Sequence, residues 1–141
     1  MTAKPKTRKV LAANGAKLDP VFGAIAEHKV LSKETGRLQA AMGVARDRAE
    51  KKHGKSMEVA ALIIAAAEDT KAEYDQFICA AEAENKAAMR MARTPPASLG
   101  GMAAMIFHVR SALKTDPEVD WEDWAPLALK TVAAALSRLE A

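Results

Sequence analysis

Two long stretches with helical periodicity, separated by a short break around Gly54, leave few folds open to this chain. Apolar residues recur at three- and four-residue steps from about residue 20 to 52 and again from about 57 to 92. In the break, Gly54 suits the end of a helix and Ser56 suits the cap of the next one. Two helices of more than about 30 residues, joined by about four, must fold back on each other, with arms about 50 Å long. The sequence therefore predicts a long antiparallel helical hairpin.

The start of the first long helix and the end of the second are marked by proline. Asp19-Pro20 is a start signal, because Asp caps exposed amides and Pro is pre-set for the first helical position. Thr94-Pro95-Pro96 is a stop signal, because the residue before a proline resists helical torsions. Ser98 then suits the cap of a third helix over about 98–114.

A fourth helix follows the break at Asp116-Pro117. Asp120 and Asp123 resemble a capping pair for it, and the helical pattern continues over about 121–139. Pro126 stands about one turn inside this pattern, so either an irregular first turn or a separate short helix is expected there. The third and fourth helices are about half as long as the hairpin arms. The predicted fold class is all-α: a long antiparallel helical hairpin with two shorter C-terminal helices packed at its base.

Periodicity also predicts which residues face the interior. Residues of the four helices expected on the inner faces are, in chain order, Phe22, Ile25, Leu31, Leu38, Met42, Ala45, Ala49; Val59, Leu62, Ile63, Ala66, Tyr74, Phe77, Ile78, Ala81, Ala88, Met89; Leu99, Met102, Ile106, Phe107, Val109, Leu113; and Trp121, Trp124, Leu127, Ala128, Val132, Ala135, Leu136, Leu139. Gly36 and Gly43 are expected to allow close approach of a neighbouring helix. Cys79 falls on the apolar stripe of the second helix and is expected to be a small buried hydrophobe.

Composition excludes several classes of protein. Apolar residues make up 50% of the chain and aromatic residues only 4%, so a helical core must come from Ala, Leu, Ile, Val and Met. The one cysteine allows no disulfide framework within the chain. The longest apolar run, residues 59–67, is too short to span a membrane, and residues 1–16 lack the apolar core of a secretory signal. A cytoplasmic location is expected.

Positive charge is concentrated at the N-terminus. Residues 1–18 contain five basic and no acidic side chains, whereas the remainder carries two more acidic than basic side chains. We interpret residues 1–18 as a basic, flexible arm and residues 19–141 as a single helical domain. Mobile cations contact polyanions through phosphate groups without sequence preference, and solubility is the alternative role. The predicted polyanion contacts in the arm are Lys4, Lys6, Arg8 and Lys9.

A second group of basic residues surrounds the predicted hairpin tip. It consists of Arg46, Arg48, Lys51, Lys52 and Lys55, set against Asp47, Glu50 and Glu58. These five basic residues are further candidates for polyanion contact. A solvated helix end, where the helix dipole favours cations, explains the same pattern.

No pattern of residues points to catalysis. Glu50-x-x-His53 has the spacing used in carboxylate-bridged metal bundles, but such sites need two pairs and further carboxylates inside a core. Gly100-Gly101 follows no strand and precedes no Lys-Ser/Thr pair, so it is not a phosphate loop. If the third helix crosses the base of the hairpin, His28 and His108 could approach each other and bind a metal or relay protons. We predict no catalytic residue, metal or cofactor and no small-molecule substrate.

The two tryptophans stand three residues apart near the start of the fourth helix. Core packing is the usual role for such residues. A surface anchor is the alternative, because Trp is enriched in the energetic hot spots of interfaces. Trp121 and Trp124 are therefore candidate contacts for a protein partner.

Three segments resemble a group of short, uncharacterised helical proteins encoded in alphaproteobacterial genomes. The segments are Asp19-Pro20-Val21-Phe22 with Ala24-Ile25 and Glu27-His28, then Thr94-Pro95-Pro96-Ala97-Ser98-Leu99-Gly100-Gly101, and finally Trp121 with Leu136-x-x-Leu139. The resemblance implies a helical fold and a bacterial origin. It implies no activity, and no functional residue carries over from it.

Three functional hypotheses follow. The leading one is a non-enzymatic helical protein-interaction module, which self-associates as a homo-oligomer or docks on a protein partner. The alternative is a nucleic-acid-associated accessory protein that binds the phosphate backbone through the arm and the hairpin tip. The third is a small metal-dependent or hydrolytic enzyme built on His28, His108 and nearby acids. No interaction with a membrane is expected.

Overall fold

The computed structural model describes residues 19–53, 64–65, 67–115 and 124–141. In these ranges the regular elements are helices and no strand occurs, which confirms the all-α prediction. The helices are α1 (Pro20–His53), α2 (Lys71–Arg93), α3 (Leu99–Thr115) and α4 (Ala125–Glu140). Residues 64, 65 and 67–69 are also helical and precede α2. The turn predicted at 53–56 and the caps predicted at Asp120 and Asp123 lie outside the described residues.

The chain divides into two compact units. One comprises Met1–His28 with Lys86–Ala141, and the other comprises Lys29–Asn85. We call them the terminal unit and the central unit. The predicted basic arm, residues 1–18, lies outside the described residues of the terminal unit.

The two helix starts predicted from Asp and Ser are confirmed. Asp19 Oδ1 accepts a hydrogen bond from the Val21 amide at 3.1 Å, and Ser98 Oγ accepts one from the Gly101 amide at 3.0 Å. These bonds satisfy amides that have no partner inside a helix. Helix α4 begins at Ala125 rather than at about residue 121, and Pro126 lies in its first turn. No irregular turn is needed there, because an amide in the first turn has no intrahelical acceptor.

A single apolar core holds the terminal unit together. It draws on the first turns of α1, the last turns of α2 and most of α3 and α4, and it contains Val21, Ile25, Ala88, Met91, Ala92, Met102, Met105, Val109, Trp124, Ala125, Ala128, Val132 and Ala135. Many of its residues are alanine, so helices approach closely and the larger Met side chains fill the gaps. Thr131 of α4 donates a 2.6 Å hydrogen bond to the Ala92 carbonyl, which ties α4 to the end of α2.

Helix α1 has a seven-residue pattern of burial. Val21, His28, Thr35 and Ala49 are buried, and Met42 between them is half-buried. A second row, three residues further along, is also half-buried: Ala24, Leu31, Leu38, Ala45. Two such rows are the a and d positions of a coiled-coil seam. Phe22, predicted on the inner face, is half-buried, and its neighbour Val21 is the fully buried residue that begins the seven-residue row.

Other predictions of burial are wrong. Cys79 is exposed, because it lies just outside the inner row formed by Phe77 and Ala80. Six predicted inner residues of α2, α3 and α4 are exposed as well: Tyr74, Leu99, Ile106, Phe107, Leu136, Leu139. In α3 the buried face instead contains Gly101, Met102, Met105, His108 and Val109, and in α4 it contains Ala125, Ala128, Val132 and Ala135. A Cβ built on Gly36 or Gly43 meets no atom within 4 Å, so neither glycine serves a close helix contact within the described chain.

Candidate functional site

His28 and His108 come together inside the terminal unit. His28 Nδ1 lies 2.7 Å from His108 Nε2, which is the length of a hydrogen bond between the rings. The two side chains are 5% and 9% exposed. Helix α1 supplies His28 at a position of its buried seam, and α3 supplies His108 beside the core residue Val109. The approach proposed from the sequence is therefore present.

Trp124 closes this cluster from the start of α4. Its ring centroid lies 5.3 Å from that of His28 and 6.2 Å from that of His108. The two histidine rings meet edge to face, with an angle of 89° between their planes. Trp124 is 7% exposed and belongs to the core, so of its two predicted roles it has the one in core packing. Trp121, the other candidate partner contact, lies outside the described residues.

The histidine pair is arranged as a hydrogen bond and not as a metal site. Two imidazole nitrogens bound to one tetrahedral Zn²⁺ at about 2.1 Å would lie about 3.4 Å apart, further than His28 Nδ1 and His108 Nε2. Across the described residues, no three His, Cys, Asp or Glu side chains come together in a way that could hold a metal ion. Chemically, the pair can hold and exchange a proton.

Asp19 is the second buried polar centre of the terminal unit. Its Oδ2 accepts hydrogen bonds from Ser98 Oγ at 2.5 Å and from the Ala97 amide at 3.2 Å, while Oδ1 accepts from Val21. Burial by itself would raise the pKa of this carboxyl, but the hydrogen bonds from Ser98, Val21 and Ala97 together hold it below its ordinary value of 3.8. One carboxylate thus caps α1 and fastens the start of α3 to it.

Gly101 is required at this junction. A Cβ built at Gly101 would overlap Asp19 Oδ2 and lie 2.8 Å from Asp19 Cγ and 2.9 Å from Val21 Cγ1. The glycine therefore lets α3 approach the carboxylate closely. Gly100 has ordinary clearance, because its nearest neighbours, on Phe22 and Ser98, lie at 3.9 Å.

The predicted basic tip is only partly described. Arg46, Arg48, Lys51 and Lys52 are exposed, whereas Lys55 lies outside the described residues, as do Lys4, Lys6, Arg8 and Lys9 of the arm. Asp69 Oδ2 lies 2.7 Å from His53 Nε2 and 3.6 Å from Lys52 Nζ. The hydrogen bond from His53, together with the positive charge of Lys52, holds the pKa of the Asp69 carboxyl below its ordinary value. One acidic side chain therefore offsets part of the positive charge.

A shallow groove crosses the central unit. It has a volume of about 440 Å³ and is lined by Glu34, Arg37, Leu38, Asp75, Gln76 and Cys79. Arg37 donates two hydrogen bonds to Glu34, at 2.6 and 2.9 Å, so these two charges satisfy each other. Residues of both α1 and α2 therefore line this groove.

The sequence predicts that His28 and His108 meet only if the third helix crosses the base of the hairpin, and it does not predict the Asp19–Ser98 junction. Asp19 and Ser98 are predicted as two separate caps, and they lie 79 positions apart. The available signal was that Asp19 and Ser98 each start a helix, one directly before and one directly after the predicted hairpin. Local rules could not reveal that one carboxylate serves both helix starts.

The described helices include none that is long and apolar enough to cross a membrane. No protein-family model, curated protein or solved structure matches the chain. Function is therefore argued from the geometry of the described residues.

Proposed function

We propose that this chain is a non-enzymatic helical interaction module that self-associates through its central unit. The observation that carries the proposal is the incomplete burial of that unit's apolar seam. Among its described residues, 29–53, 64–65 and 67–85, only Thr35 and Ala49 are buried. The seam side chains Leu31, Leu38, Met42 and Phe77 remain half-exposed. A coiled-coil seam is stable when further helices cover it.

The proposal includes the antiparallel hairpin. In the central unit, the end of α1 reaches Asp69 through His53, whereas the middle of α1, residues 34–38, shares a groove with residues 75–79. As the residue number in α1 falls from 53 to about 36, the number of its neighbour rises from 69 to about 77. Opposite trends of this kind are expected of antiparallel helices. This direction supports the arrangement expected from the short predicted turn.

The outer surface of the same unit carries a second apolar stripe. Val30 and Val44 are 68% and 58% exposed. They lie 14 residues apart, which is two seven-residue repeats, so they share one face of α1. Ile64 and Tyr74, from the other arm, are also more than half exposed. Apolar side chains at regular spacing on an otherwise charged surface are typical of an interface.

Charge complementarity favours a second copy of this chain as the partner. Residues 29–53 carry seven basic and three acidic side chains, whereas residues 64–85 carry six acidic and one basic. A two-fold axis would bring residues 29–53 of one copy against residues 64–85 of the other, and this contact would occur twice in the dimer. One surface therefore offers both halves of a complementary interface.

We expect the double substitution Val30→Glu/Val44→Glu to separate the oligomer into single chains. Four valines would leave each two-fold interface, at about 1.5 kcal/mol or more each and about 6 kcal/mol together, so the dissociation constant should rise about 10,000-fold or more. Sedimentation equilibrium over a range of protein concentrations measures this change.

The matched control is Leu129→Glu/Leu136→Glu, which puts two acids on exposed positions of α4 in the terminal unit. It should leave the dissociation constant within about twofold of the wild-type value, and circular dichroism should show unchanged helix content in both variants. A wild-type chain that is monomeric at every concentration contradicts the proposal.

The second candidate function is binding of nucleic-acid phosphates, favoured by the exposed cations of the tip. Arg46, Arg48, Lys51 and Lys52 lie within two turns of each other at the end of α1. Each phosphate contact formed by such cations releases a counterion, so affinity falls steeply with salt.

For this candidate, Arg46→Gln/Arg48→Gln/Lys51→Gln should weaken a gel shift on duplex DNA at low salt. The slope of log affinity against log salt concentration should become less steep by about the value of three phosphate contacts. The control Lys29→Gln/Lys33→Gln removes two basic residues of α1 at the end of the central unit opposite the tip. Equal loss in both variants, or no shift by the wild type at low salt, rejects the tip as a binding site.

The proposal places the module in the cytoplasm and assigns it no cofactor or small-molecule substrate. Its only cysteine, Cys79, is exposed. In a reducing compartment this thiol would stay free.

A further inference from the structure

The buried His28–His108 contact joins α1 to α3 in the terminal unit. Its 2.7 Å separation is short for two ring nitrogens, and neither ring is more than 9% exposed. Trp124 covers both rings from α4. A change in the charge of either ring therefore alters contacts between α1, α3 and the start of α4.

The facing nitrogens, Nδ1 of His28 and Nε2 of His108, can hold one hydrogen between them. In a neutral pair one ring donates from its facing nitrogen and the other accepts. A first added proton goes to an outward nitrogen and leaves this bond in place. A second added proton places N–H groups on both facing nitrogens, so two hydrogens meet where one bond existed. The contact cannot survive double protonation.

The charged groups around the pair are arranged at the surface. On α1, Glu27 and Lys29 flank His28, and Glu27 accepts a 2.7 Å hydrogen bond from Arg90 of α2. On α3 and α4 the nearest charged residues in sequence are Arg110 and Lys130. All five are exposed. Glu27, the one acid among these five residues, is already engaged by Arg90.

We propose that His28 and His108 form an acid-opened lock in the terminal unit. The lock tolerates one proton, and binding of the second separates α3 from α1 around Trp124. The unfolded chain binds two protons at these residues below the ordinary imidazole pKa of about 6.5, whereas the locked state binds at most one. Because the unfolded state binds more protons, stability rises with pH and is lost as pH falls below about 6. The inference does not depend on self-association.

The test is the equilibrium constant for urea unfolding, measured from pH 7.5 to 4.5 at one protein concentration. In the acid part of this range, the wild-type constant should rise up to about tenfold per pH unit, which is the effect of one extra proton in the unfolded state. His28→Leu/His108→Leu removes both imidazoles and should be nearly flat over the same range. His53→Asn removes a histidine of the central unit and should keep the wild-type slope. Equal slopes in the wild type and the double variant overturn the proposal.

A measurement on the wild type covers the case in which the double variant does not fold. Ring ¹⁵N resonances report the protonation of each histidine during an acid titration. We expect uptake in two steps, with the second step coinciding with loss of hydrogen-exchange protection in α3. Full protonation of both rings while α3 keeps its protection would overturn the lock.

Discussion

Replacing Gly101 with alanine is expected to lower the free energy of unfolding by about 3 kcal/mol. The added Cβ would overlap Asp19 Oδ2 and press on Val21 Cγ1 at 2.9 Å. Asp19 cannot turn aside, because its two oxygens are held by Val21, Ala97 and Ser98. Either α3 moves away from α1 or the carboxylate loses its partners. Urea unfolding followed by circular dichroism measures the loss.

The control is Gly23→Ala in the same unit. A Cβ at Gly23 meets no atom within 4 Å, so alanine there replaces a flexible residue at no steric cost. This variant should be more stable than the wild type by about 0.5–1 kcal/mol. Equal stability of the Gly101 variant and the wild type would show that α3 does not approach Asp19 as closely as described.

Replacing Asp19 with alanine is expected to cost about 3 kcal/mol or more. The variant loses a helix cap, worth about 1 kcal/mol. It also leaves the partly buried Ala97 amide and Ser98 hydroxyl without their charged acceptor, at about 1.5–3 kcal/mol for a hydrogen bond to a charged group. Asp69→Ala is the matched control, because Asp69 is exposed and its ion pairs are screened by water. The control should change stability by less than about 1 kcal/mol.

The Asp19 variant should also change the response to strong acid. Because the folded-state pKa of Asp19 lies below its ordinary value of 3.8, its contribution is complete above that value and is lost as pH falls through the lower one. Wild-type stability should therefore fall further below pH 3.8, and the alanine variant should lack this component. An identical acid profile for the two proteins would contradict the role given to the carboxylate. This range lies well below that of the histidine lock, so the two effects are measured separately.

Much of the helical framework could be predicted from short segments of sequence. Asp19-Pro20 and Ser98 locate the starts of α1 and α3 to within one residue, and Thr94-Pro95-Pro96 locates the end of α2. Each signal works through a local hydrogen bond or torsion restriction, which needs no knowledge of distant residues. The predicted start of α4 lies about four residues before Ala125, because Pro126 belongs to the first turn of the helix rather than to a position one turn inside it.

The inward faces were harder to predict, for a physical reason. A stripe of apolar residues three and four apart is compatible with more than one orientation, and neighbouring helices select the orientation that packs best. In α1 the selected face contains the polar residues His28 and Thr35, which a hydrophobic pattern passes over. In α3 the selected face contains Gly101, which leaves Leu99, Ile106 and Phe107 exposed. At Gly101 the missing side chain is what lets α3 approach Asp19.

By itself, then, the sequence determined that the chain is helical and where its helices begin, since caps and prolines act within a few residues. The tertiary structure alone decided that Asp19 serves α1 and α3 together, that Gly101 has no room for a side chain, and that His28 meets His108 beneath Trp124. These contacts join residues about 80 positions apart. No local rule reports such a distance, because it is set by how the helices of the terminal unit pack around a core made largely of alanine and methionine.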